Sequence, residues 1–224
     1  MRAHSSMPTQ STSRVPYEAI FSTVYAGLRI NLCLLAADLP LVVALALGGS
    51  PLSAWPFFVA LSVFCGPAVG ASFAVFGDVA EDPQHLVRRF WSAYRTGFVR
   101  SAATAGVAAG AVIVLGVDLQ MAVGTRLGAV TPVLAVLIGL VVIVSTTVLA
   151  AGRRLSRREL VVAAYLSLRR WYLSLANVVV LGVLLAAVVA KPAVGLFLLP
   201  APVLYVVWAN ARHVLSPLTG RDEP

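Results

Sequence analysis

Asp38 is the one carboxylate set well inside an apolar stretch of this chain. Placing an acidic side chain at the centre of a bilayer costs roughly 2.5–3.5 kcal/mol on insertion scales, so its presence demands an account. Two chemistries fit. Either the carboxyl is a proton or cation site, or it serves the backbone, bonding groups freed by the nearby Pro40 or reaching a water-filled dip. Arg29 is no partner within the same helix, because nine residues place it about 13 Å away along the axis. Asn31 and Asn177 sit early in the first and fifth apolar stretches. Amide side chains in a membrane bond across helices for about 0.6 kcal/mol each, so both read as packing contacts. Together with Asp38 and the run Ser145, Thr146, Thr147, they are the polar side chains available to line a path across a bilayer.

Other chemistry finds no support. Cys33 and Cys65 lie in the first two apolar stretches, away from His4, His85 and His213. A metal needs three or four ligands at compatible spacing, so the two thiols read as inert and buried. No nucleophile elbow, zinc-binding helix motif or phosphate-binding loop is present. The expectation is therefore a protein that is not an enzyme and holds no cofactor or metal. Asp78, Glu81 and Asp82 stand beside four arginines and read as a solvated network.

The elements that must carry these residues are helical. Hydrophobic residues make up 59% of the 224 and charged residues 12%, with mean hydropathy +0.90, whereas soluble domains carry roughly 25% charged residues. Six stretches approach the ~20 apolar residues that cross a ~30 Å hydrocarbon core. They fall at roughly 24–47, 54–77, 101–119, 128–151, 175–190 and 194–212. The expected fold is thus all-α: a polytopic membrane protein of about six transmembrane helices. Residues 1–22 read as a disordered cytoplasmic lead-in, 23–213 as one transmembrane domain and 214–224 as a short polar tail.

Of the 17 basic residues, all but Arg126 and Lys191 fall in the termini and the second and fourth connections or beside them. By the positive-inside rule those segments and both termini are cytoplasmic. The net charge of +8 is accounted for by attraction to anionic headgroups, about 1 kcal/mol per residue near the surface. No separate basic module exists to enter a nucleic-acid groove, so nucleic acid is not an expected partner.

Three segments, YAGLRIN, YRTGFVR and YLSLRRWYLSLAN, set aromatic residues and arginines just before odd-numbered stretches. They suggest three helical hairpins, each with an amphipathic cytoplasmic lead-in helix. In the second connection Asp82 and Pro83 suit a helix start. Val87, Phe90, Trp91, Tyr94 and Phe98 then share a face, with Arg88, Arg89 and Arg95 largely off it. Such a helix would rest in the headgroup zone or against a partner, aromatic side down. In the fourth connection Ser156 and Glu159 form a capping-box pattern. Gly66, Pro67 and Gly70 in GPAVGA, and the small residues of SAATAGVAAGA, allow close approach of another helix, a partner or a second copy.

The runs LRINLCLLAADLP, GPAVGASFAVF and FWSAYRTGFVRS, followed by an apolar stretch and VDL, resemble the YesL-like family of bacterial membrane proteins. The likeness covers about 25–212 and is strongest in the first half; RRLSRREL matches more loosely. It implies a small helical protein of the bacterial cytoplasmic (inner) membrane, of undefined biochemistry, encoded near carbohydrate uptake systems of the ATP-binding-cassette type. An accessory role beside transporter permeases is the expected function; the alternative is a small transporter or channel in its own right. Asp38 departs from the family pattern, which is mostly apolar there.

Overall fold

A computed structural model of the chain describes residues 16–47, 53–77, 85–152 and 156–219. The described residues are helical throughout, with no strand among them. Helix α1 (Pro16–Ala37) starts earlier than the expected first span and turns by 71° into α2 (Leu39–Leu47). The cause is Pro40, which lacks the N–H for the helical ladder and crowds the carbonyl four residues before it. Next, α3 (Trp55–Leu61), a 3-10 turn at Ser62–Phe64 and α4 (Cys65–Phe76) run on as one rod. The tighter turn falls just ahead of Pro67, which cannot donate to Val63.

Helix α5 (Leu86–Ala122) is 37 residues long and rises about 55 Å. The expected lead-in and third crossing are therefore one continuous helix, since no proline interrupts it. Its start is preceded by His85, and the expected cap at Asp82 and Pro83 lies outside the described residues, as does the Asp78, Glu81, Asp82 network. After a short 3-10 segment come α6 (Thr131–Ala150), α7 (Arg157–Arg169) and α8 (Trp171–Ala190). The capping box is formed: Ser156 Oγ accepts from the Glu159 amide at 3.3 Å, and the Ser156 amide donates to Glu159 Oε2 at 2.6 Å. A break at Arg170 divides α7 from α8, so the third lead-in, unlike the second, is a separate helix. The chain ends with α9 (Pro192–Phe197) and α10 (Pro200–Thr219).

Among the described residues four helices are long and apolar enough to cross a membrane, or five if the bent α1–α2 pair counts as one. The expected sixth, around α10, is not among them. Asn210, Arg212 and His213 lower its hydropathy, and its buried residues form a stripe instead. Ala201, Leu204, Val207, Ala211, Val214 and Leu215 recur at three- and four-residue spacing, with Val207 fully enclosed. Helix α10 accordingly packs against α1, α4, α6, α7 and α8, and α5 packs closely along both α4 and α6. Helices of different expected hairpins interleave.

The main core lies toward the arginine-bearing end. It joins Ala26, Ile30 and Leu34 of α1 to Ala71, Phe73, Val75 and Phe76 of α4, Leu86 and Phe90 of α5, and Leu204 and Val207 of α10. Phe76 meets Tyr205 edge-on at 5.5 Å between centroids, and the Arg212 guanidinium lies over Trp208 at 5.2 Å. Far from this core, Val107, Val114, Val133 and Val136 are exposed on α5 and α6, as are Val183 and Leu185 on α8.

The aromatic lead-in is placed differently from the expectation. Phe90 is 1% exposed and sits in the core; Trp91 and Tyr94 lean against it rather than facing outward. Val87, expected on that face, is exposed, and Leu86 takes the inner position. Arg88, Arg89 and Arg95 are exposed, on the outer side as expected. The aromatic ridge turns inward because α1 and α4, against which α5 packs, present apolar residues of the same core to it.

Candidate functional site

The two asparagines are consumed by the fold. Asn31 is buried on α1 and spans the interruption between α9 and α10: its Nδ2 donates to the Leu198 carbonyl at 3.0 Å, and its Oδ1 accepts from the Ala201 amide at 2.7 Å. Pro202 has no N–H to offer the Leu198 carbonyl, and the Ala201 amide lies in the first turn of α10, so one amide side chain satisfies two backbone groups that would otherwise be orphaned. Asn177 on α8 accepts from Asn210 Nδ2 on α10 at 2.7 Å. Asn210 was not singled out in the sequence; an amide within the expected sixth stretch was the available signal. A double-mutant cycle with Asn177→Val and Asn210→Val is expected to give a coupling of about 0.6 kcal/mol in detergent unfolding. A coupling of zero would mean the amides are satisfied elsewhere.

The hydroxyl run on α6 is likewise self-contained. Ser145 donates to the Val141 carbonyl at 2.6 Å, Thr146 to Val142 at 3.0 Å and Thr147 to Ile143 at 2.8 Å. These bonds return to the preceding turn of the same helix. The small residues of α4 and α5 close on each other. A Cβ added at Gly66 would fall 2.5 Å from Ala105 Cβ and 2.9 Å from the Ser101 carbonyl oxygen. Close approach was expected; the neighbour proves to be α5 of the same chain.

Two arginines fasten helix ends. Arg100 on α5 donates to the Gly152 carbonyl after α6, where Gly152 turns the chain with φ 67°. Arg170, at the α7–α8 break, donates to the His213 carbonyl on α10 at 2.7 Å. Arg29 stacks over Tyr25 at 4.4 Å and donates to its hydroxyl at 2.9 Å.

Asp38 remains. It stands at the corner between α1 and α2, its amide bonded to the Leu34 carbonyl at 2.8 Å and its carbonyl accepting from Leu41 at 2.9 Å. The backbone at the corner is thus satisfied by backbone. Carboxyl atom Oδ1 is buried and has no hydrogen-bond partner among the described residues. The Cys65 thiol, at the start of α4, lies close to the carboxyl. The Tyr94 phenol on α5 lies in the same neighbourhood. Cys65 is therefore not the isolated thiol its sequence context suggested, whereas Cys33 is a buried free thiol as expected. Among the described residues no three His, Cys, Asp or Glu side chains gather to hold a metal.

Compared with known proteins, the chain matches no family model, no curated protein and no solved structure. Its apolar helices are consistent with a membrane protein, and further functional meaning has to come from the site itself.

Proposed function

We propose that the protein is a multi-pass protein of the bacterial cytoplasmic membrane. In this reading six segments cross, paired in chain order as three hairpins, with both termini on the cytoplasmic side and α10 as a sheltered sixth crossing. Its role is that of an accessory partner for carbohydrate uptake systems of the ATP-binding-cassette type. The resemblance to the YesL-like family supplies the link to uptake. The observation that carries an accessory role over a channel is the engagement of the polar side chains: Asn31, Asn177, Ser145, Thr146 and Thr147 all bond within the fold. A partner would then meet the exposed apolar flanks of α6 and α8, because the small residues at Gly66, Ser101 and Ala105 are already spent on internal packing.

Affinity purification of the full chain from native membranes in mild detergent is expected to recover a permease or its solute-binding protein. Repeated recovery of the chain alone or as a homo-oligomer would refute the accessory role. The second reading, a small transporter, has one observation in its favour: the buried Oδ1 of Asp38 without a partner.

A further inference from the structure

Two of the apolar rods lose their regular winding at the same place. The first breaks at Asp38 with a 71° turn, and the second carries the 3-10 turn Ser62–Phe64 immediately before Cys65. Helix α2 rests on that 3-10 turn and on α3, so the irregularities face one another with Asp38 and Cys65 between them. Pro40 and Pro67 each remove a ladder hydrogen bond at this level. Irregular backbone at membrane depth persists only where protein covers it or where it lines a polar cavity.

We propose that Asp38 is a proton-binding site, with the proton residing on Oδ1 in the corner between the two breaks. A carboxylate oxygen enclosed without a donor is costly, and a proton bound there removes the charge. The titratable groups near this carboxyl are the thiol of Cys65 from α4 and the phenol of Tyr94 from α5, neither of them basic. Helices α2 and α3, LPLVVALAL and WPFFVAL, carry no titratable group. On α1 the nearest cation, Arg29, is engaged with Tyr25. A divalent metal ion would lack ligands here, whereas a proton needs one oxygen. Loss of the proton leaves an uncompensated charge in the corner. The inference holds for an accessory protein and for a carrier alike.

The test is infrared difference spectroscopy of the full chain in lipid vesicles across a pH titration. A carboxylic C=O band that grows as pH falls is expected, and it should be lost in Asp38→Asn. If Asp38→Asn does not fold, Cys65→Ser, which changes the group beside the same carboxyl, is expected to shift the band. No titrating band, a band that survives in folded Asp38→Asn, or an unshifted band in Cys65→Ser would each overturn the proposal. So would a band that responds to exchange of sodium for potassium at constant pH, which would assign the site to a metal cation.

Discussion

Phe90→Ala is expected to destabilise the protein by about 3–5 kcal/mol. The ring is 1% exposed and meets Trp91 edge-on at 5.7 Å and Tyr94 in a stack at 6.3 Å. It also belongs to the cluster that ties α1, α4 and α10 together. Removing it leaves a void lined by Val75, Leu86 and their neighbours, and those atoms lose contacts that lipid cannot replace inside a closed core. An aromatic lying in the headgroup zone would behave otherwise, since truncating an outward side chain leaves no void. Val99→Ala provides the comparison on the same helix: that side chain is 80% exposed, and its loss is expected to change stability by less than about 0.5 kcal/mol. Unfolding in mixed detergent, followed by helical circular dichroism, reads both variants. Equal midpoints for the two would place Phe90 outside the core.

Gly66→Ala is the second large effect, at about 1–3 kcal/mol from overpacking. The new methyl would meet Ala105 Cβ at 2.5 Å and the Ser101 carbonyl oxygen at 2.9 Å. Neither atom can swing aside, so α4 and α5 must separate. Gly70→Ala meets Ser101 Oγ at 2.7 Å, a hydroxyl that can rotate away, and should cost less. Gly110→Ala, with nothing within 4 Å, should be neutral or slightly stabilising through helix propensity. Adding Ala105→Gly to Gly66→Ala removes the nearer clash and should restore part of the loss. The same unfolding assay ranks the set, and a Gly66→Ala variant as stable as Gly110→Ala would contradict the observed α4–α5 contact.

Features that depend on a few neighbouring residues were legible in the sequence. The Ser156–Glu159 cap, the close approach at Gly66 and the bonding role of Asn31 follow from local chemistry, and each is formed. The register between distant helices was not legible. That Cys65 would meet Asp38 depends on how α1 and α4 align, which no spacing in either segment specifies. The length of α5 was available in principle, because nothing between Leu86 and Ala122 stops a helix. Arginines were read there as a boundary between lead-in and span, although Arg88, Arg89 and Arg95 are simply accommodated on the exposed side of one rod. In α10 the overall apolar content masked a periodic stripe, and the stripe decides its central position.

The uneven distribution of packing has a mechanical consequence. Interlocked rings and aliphatic groups concentrate where α1, α4, α5 and α10 converge, while the opposite reaches of α5, α6 and α8 touch few neighbours. Such a body resembles a hand gripped at the wrist. Changes in bilayer thickness or lateral pressure would spread the fingers and leave the grip intact, so deformation should collect in the thinly supported half.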